Sequence, residues 1–149
     1  MEEIKSIQNN LENKQPSNLE AEQALLGSIL VNNDIIDEVS TIVSSNIFYD
    51  PAHVKIYEVI ENLNNKGMIA NPITLKNFFE KDNMLKEVGG TEYLVKLTRF
   101  SGSAKQAIDY AKIIHEMYLR RELLLISDKL SSDTLNAHSQ EQNAENIIE

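Results

Sequence analysis

Cysteine is missing altogether from this 149-residue chain. Its absence removes disulfides and thiolate metal sites, and it fits a reducing, cytoplasmic setting. Basic charge is scarce: 14 Lys and Arg stand against 23 Asp and Glu, a formal net charge of -9. Most of such a surface repels a phosphate backbone, so no direct binding of nucleic acid is expected. No apolar run approaches ~18 residues and no basic-then-apolar stretch opens the chain, so neither a membrane span nor a signal peptide is expected. A G-x-x-x-x-G-K-[ST] phosphate loop is lacking, Gly89-Gly90 having no Lys after it, and so is a nucleophile elbow. His115-Glu116 has no second His four residues on, which rules out a zincin pattern. Sustained period-2 alternation is missing too, so the fold class is read as all-α, with no repeat at a fixed period.

What is present is ordinary for one modest globular domain, at 42% hydrophobic and 25% charged residues. The most telling stretch is Ser103 to Leu130. It contains no Gly or Pro and is dominated by Ala, Leu, Ile, Lys, Glu and Arg, enough for a helix of ~40 Å. With ~100° per residue, Ala104, Ala107, Ile108, Ala111, Ile114 and Tyr118 share one face. Tyr110, Ile113 and Met117 lie beside it, so the first half reads as wrapped on most sides by its own domain. Past Arg120, Arg121 and Glu122, a narrower seam of Leu119, Leu123, Ile126 and Leu130 is rotated by roughly a quarter turn and needs a different partner. A single longer, curved core helix is the alternative. Arg120-Arg121 could serve as a phosphate or carboxylate fork or stand on a solvated, ion-paired face.

Residues 1–15 read as a disordered or weakly helical tail. Ser17-Asn18-Leu19-Glu20 reads as a capping box with Ser17 as the cap. The helix that follows runs to about Val31 and buries Ala21, Leu25, Leu26, Ile29 and Leu30. Gly27 inside it costs ~1 kcal/mol against Ala, which implies a helix crossing closely. Asp34 is expected to cap a short helix. Ile47, Phe48 and Tyr49 are expected to dip into the core. Asp50-Pro51 starts a helix that buries Val54, Ile56, Tyr57, Ile60 and Leu63, and Gly67 stops it. Thr74 is expected to cap a helix carrying Leu75, Phe78 and Phe79. Gly89-Gly90 breaks the chain before a helix of Tyr93, Leu94 and Leu97. Ser131 to Ser139 reads as a polar loop, and Glu141 to Glu149 as a further helix that starts and is cut short.

Asp50-x-x-His53 has the carboxylate-x-x-His spacing of helical di-metal bundles, which keeps a small helical metalloenzyme open as a reading of a different class. Matched inward carboxylates are absent from the helix patterns, so His53 reads rather as a hydrogen-bonded core or interface residue.

The stretch Pro16-Ser17-Asn18-Leu19-Glu20-Ala21-Glu22-Gln23-Ala24-Leu25-Leu26-Gly27 resembles the P-x-x-x-E-A-E-Q-x-x-L-G opening of DnaB-type replicative helicases. Phe48-Tyr49 with His53 and Ile56-Tyr57 is similar to that family's F-Y-x-x-x-H-x-x-I-[FY] segment. Ile73-Thr74-Leu75, then Val88-Gly89-Gly90 with Tyr93, Leu94 and Leu97, and Tyr110-Ala111 followed by Arg121, recur in the same order. The departures are Asn71 for an acidic residue, Gly102 for a Pro and Gln106 for an Asn. The resemblance covers about Pro16 to Leu130.

The resemblance implies a helical N-terminal domain: a globular head over residues 16–102, then a long helix and an incomplete helical hairpin over 103–149 that pairs subunits. It implies self-association, as a dimer here and a hexamer in the full-length protein. It also implies docking of a DnaG-type primase and in some lineages a helicase loader. The ATP- and Mg-dependent motor would lie further along the polypeptide, outside this chain, which would need no cofactor itself. By the same resemblance Glu20, Tyr93 and the Arg121, Leu123, Leu124 turn are partner-facing. The helicase-binding domain of a primase, similar in fold, is the runner-up.

No nucleotide turnover is expected of this chain; phosphate release that tracks the protein through successive columns would refute that. Fluorescence anisotropy with labelled DNA at physiological salt should show negligible binding. Micromolar affinity with a steep salt slope would expose a local basic face instead.

Overall fold

The computed structural model describes residues 2–3, 15–136 and 143–148. Most of the expected tail and the linker at 137–142 lie outside these residues. Among the described residues there is no strand, and the fold is all-α as expected. The helices are α1 (Leu19–Val31), α2 (Ile36–Val39), α3 (Pro51–Asn65), α4 (Pro72–Lys81), α5 (Asn83–Glu87), α6 (Thr91–Thr98), α7 (Ala104–Leu135) and α8 (Ala144–Ile148). Three-ten turns at Asn33–Ile35 and Ser45–Ile47 precede α2 and α3. The chain divides into two compact units, Ser17–Tyr118 and a second made of Met1–Pro16 with Leu119–Glu149; α7 runs through the division.

The first unit is built on α1, which packs against α6 and α3, while α4 packs against α5 and α6. All five apolar residues expected to be buried on α1 are inside, and Leu25, Leu26 and Ile29 have no exposed surface. Each such side chain contributes about 1.5–3 kcal/mol by leaving water. From α3 come Ile56, Tyr57, Ile60 and Leu63, with Val54 only half-buried. The Tyr57 ring lies 5.1 Å from that of Phe48, and its hydroxyl donates to the Val43 carbonyl. Ile47 and Phe48 enter the core as expected, whereas Tyr49 stays exposed. Phe79 is buried on α4 and Phe78 is not.

The crossing implied by Gly27 is present. A Cβ there would stand 1.9 Å from the Leu97 carbonyl oxygen and 2.8 Å from its carbon. One helical turn on from Ala24, the Ser28 hydroxyl donates to the Ala24 carbonyl and accepts from the Gly102 amide, tying the start of α7 to α1.

Asn33 clamps a second crossing. Its Nδ2 donates to the carbonyls of Ile29 and Ala70, each at 2.8 Å, and its Oδ1 accepts from the Ala70 amide at 2.7 Å. Both helix stops marked by glycine close with a reversed bond: Met68 N–H reaches the Leu63 carbonyl across Gly67 (φ 72°), and Gly90 N–H reaches the Leu85 carbonyl across Gly89 (φ 119°).

The caps differ from expectation in identity. Asn18, not Ser17, accepts from the Ala21 amide. Asn32, not Asp34, caps the turn that leads into α2. Asn71, not Thr74, caps α4, with Thr74 at the third position completing the box by accepting from the Asn71 amide. Asparagine holds a short, rigid acceptor at the length that reaches the next turn's amides. Asp50 caps α3 ahead of Pro51 as read, and Ser103 with Gln106 forms an unforeseen box opening α7.

The long helix is longer and less wrapped than expected. It continues through Ser131–Leu135, where a loop was expected, with Thr134 Oγ1 donating back to the Leu130 carbonyl. Its first half buries one stripe, Ala107, Ala111 and Ile114, while Ala104 and Ile113 are exposed. Among the described residues the final helix runs over Ala144–Ile148, with the Asn143 side chain accepting from the Asn146 amide.

A Gly27→Ala change should destabilise the domain by at least about 1–3 kcal/mol, because backbone rather than a yielding side chain occupies the space. Urea unfolding checks it: the midpoint should fall at constant m-value.

Candidate functional site

α1 presents two carboxylates on opposite sides of the helix. Glu20 points to solvent, whereas Glu22 is 1% exposed, sharing a helix face with Leu26 and Ile29 at i+4 and i+7. The Glu22 carboxylate takes three N–H groups at the entrance to α3: Tyr49 N–H to Oε2 at 2.9 Å, Asp50 N–H to Oε1 at 3.3 Å, and His53 Nδ1 to Oε1 at 2.9 Å. His53 is likewise 1% exposed. Its Nε2 lies 2.6 Å from the Tyr93 hydroxyl, which also accepts from Gln23 Nε2 at 3.3 Å. In the neutral imidazole tautomer whose Nδ1–H faces Glu22, the Tyr93 hydroxyl donates to His53 Nε2 and accepts from Gln23. The His53 and Tyr93 rings are parallel with centroids 6.1 Å apart.

This chain of bonds pins α1, α3 and α6 together. It also occupies both His53 nitrogens, and Asp50 Oδ1 is spent on the Ala52 amide. No group of three or more potential metal-binding side chains occurs among the described residues. Burial pushes the Tyr93 phenol above its usual value of 10.0, with the Asp50 and Glu22 charges adding to the rise and the Gln23 hydrogen bond opposing it.

Two open clefts flank the network. One, of about 540 Å³, is lined by Val88, Tyr93, Val95, Lys96 and Arg99 among others. The other, of about 530 Å³, is lined by Asn18, Glu20, Gln23, Phe100, Tyr110 and Ile113 over a floor of Ala21 and Ala24. Gln23 lines the second cleft, as Glu20 does, and bonds to Tyr93, which lines the first.

The remaining partner-facing residues from the sequence fall in the second unit. Arg121 Nη1 donates to the Pro16 carbonyl at 2.7 Å. Leu123 and Leu124 are 64% and 44% exposed. Sequence reasoning missed the roles of Glu22 and Gln23. The available signal was Glu22's register: a carboxylate sitting on the apolar face of an otherwise regular helix.

The fold agrees with what comparison with known proteins finds. The model of the DnaB-like helicase N terminal domain matches residues 14–116, and the chain belongs to this family. It is 42% identical over 122 residues to the replicative DNA helicase DnaB of Rickettsia felis, covering 82% of this chain and 25% of that protein. The corresponding protein of Pasteurella multocida is 33% identical over 116 residues, covering 78% of this chain and 25% of that one. The chain thus spans about a quarter of the length of these relatives. The crystal structure of the N-terminal domain of DnaB helicase from Mycobacterium tuberculosis superposes with a TM-score of 0.81 at 28% identity, covering 91% of this chain and 93% of that one.

Replacing Glu22 by Ala should cost about 3 kcal/mol or more, since the Tyr49 and Asp50 amides and His53 Nδ1–H lose their acceptor at about 1–3 kcal/mol each, and Tyr93→Phe about 1–3 kcal/mol, since His53 Nε2 loses its donor. Chemical denaturation measures both. A proton held more tightly in the folded state also sets a sign: the contribution of Tyr93 is complete below its ordinary value of 10.0 and is lost as pH rises through the folded value. Melting temperature should therefore fall above pH 10 less steeply in Tyr93→Phe than in the parent.

Proposed function

We propose that this chain joins the subunits of a hexameric replicative DNA helicase and docks a DnaG-type primase, and in some lineages a loader, during replication. In this reading residues 16–102 form the docking head, and residues 103–149 form the subunit-pairing element. ATP and Mg belong to a motor elsewhere in the full-length protein, and this chain contributes no cofactor of its own. The family supports the reading, since the relatives are named as replicative helicases; a primase's helicase-binding domain has no such support.

The observation that carries the assembly reading is the surface of α7 beyond Tyr118. Leu119, Leu123, Ile126 and Leu130 are 42%, 64%, 59% and 48% exposed, with Leu124 and Leu125 exposed beside them. Single exposed leucines are common, but this concentration on successive turns is an interaction face. The 3–4 spacing of the seam is that of a two-helix contact. Each residue covered by a partner gains about 1.5–3 kcal/mol. A twofold contact with a second copy is the economical cover, because one patch serves both sides.

Sedimentation at micromolar protein should show a concentration-dependent dimer. Leu123→Glu should abolish it while helical content by circular dichroism stays nearly intact. A tight hexamer in the parent would mean that the seam is not the limiting contact, and unfolding of the variant would place Leu123 in a core.

A further inference from the structure

The cleft beside Glu20 has an unusual composition for a protein with so few places to receive charge. Its floor is alanine, Ile113 is exposed at one side, and two aromatic rings, Phe100 (43% exposed) and Tyr110 (half-buried), supply its walls. Glu20 is the only charged one among the described residues that line it. Among the described residues the Glu20 carboxylate has no hydrogen-bond or ion-pair partner. A Cβ on Gly102 would stand 3.3 Å from the Tyr110 ring, so the absence of that atom lets the ring lie close to backbone.

We infer that this cleft receives an arginine side chain from a basic segment of the docked partner protein, a step that rests on the docking reading above. An acidic segment would meet Glu20 with like charge. A purely apolar one would cover the carboxylate without pairing it, which is costly. A lysine would satisfy the charge as a compact point but present no plane to the rings. A guanidinium does both at once: its fork bonds the carboxylate, its face stacks on an aromatic ring, and its stem covers the alanine floor. The chain's net charge of -9 favours the approach of a basic partner over an acidic one.

Amide-resolved NMR titration of the whole chain with arginine amide, and in parallel with citrulline amide, tests the inference, since the two differ chiefly in charge. Arginine amide should shift the backbone amides of Asn18, Glu20, Gln23, Tyr110 and Ile113, and citrulline amide should leave them in place. Glu20→Gln should weaken the arginine response roughly two- to fivefold, and Phe100→Leu should weaken it as well, both with the rest of the spectrum unchanged. Equal shifts from both compounds, an undiminished response in Glu20→Gln, or shifts of the same size around Asp37 and Glu38 would overturn the inference.

A second arm separates it from the docking reading. The helicase-binding domain of a primase is titrated against the parent and Glu20→Gln by calorimetry. Equal affinity for both overturns the arginine cleft and leaves docking standing. No binding to the parent, with the arginine amide response intact, overturns primase docking and leaves the cleft standing.

Discussion

A carboxylate removed from water must be satisfied where it stands, and the Glu22 side chain imposes that condition on three helices. Its donors lie at the start of α3, where Tyr49 and Asp50 offer amides with no helical partner. A negative charge at that end is also favoured by the dipole of α3. The same carboxylate orients His53, which in turn orders the Tyr93 hydroxyl on α6. An apolar residue at position 22 would pack on any hydrophobic face. Glu22 packs only where those donors converge, so it selects one arrangement of α1, α3 and α6 among the many that would bury a similar area. Its worth lies in uniqueness more than in net stability, since desolvation offsets much of the attraction within such a pair.

The contact between α1 and α6 is selected in a second way, by the lack of a side chain. At Gly27 the Leu97 carbonyl approaches α1 so closely that no other residue leaves room. Just beyond, the Ser28 hydroxyl receives the Gly102 amide. Close approach and hydrogen bond together fix where the chain turns from α6 into α7, and with it the placing of Phe100 and Tyr110 on the cleft that holds Glu20.

Much of this architecture is legible in the residues. The 3–4 spacing of Leu25, Leu26, Ile29 and Leu30 marks the face that is buried, Asp50-Pro51 marks a helix start, and a glycine amid good helix formers marks a crossing. Legibility fails where several residues compete for one local role. Ser17, Asp34 and Thr74 are sound cap candidates, yet Asn18, Asn32 and Asn71 hold the positions, because a shift of one residue decides which oxygen reaches the amides. The Ser131–Leu135 segment shows a different limit. Serine, aspartate and threonine each disfavour helix by well under about 1 kcal/mol, too little to stop a helix already propagating. The Glu22 network was hidden for a third reason: its partners lie 27 to 31 residues away, and nothing local announces which donors will meet a buried acid.

The Asn33 side chain repeats, in a chain whose described part has no strand, the way strands recognise one another. Its amide gives an N–H to the Ala70 carbonyl and takes one from the Ala70 amide, so a single side chain imitates a peptide unit in a two-way ladder. Geometry of that kind has a handedness of donors and acceptors that aspartate, the same in shape, does not share: a carboxylate would set oxygen against the oxygens of both Ile29 and Ala70. The segment from α3 to α4 is thus held at this point by a paired amide beside the fully buried Ala70 side chain. That is why Met68 and Ile69, just before Ala70, can stay largely in water without the loop losing its anchorage.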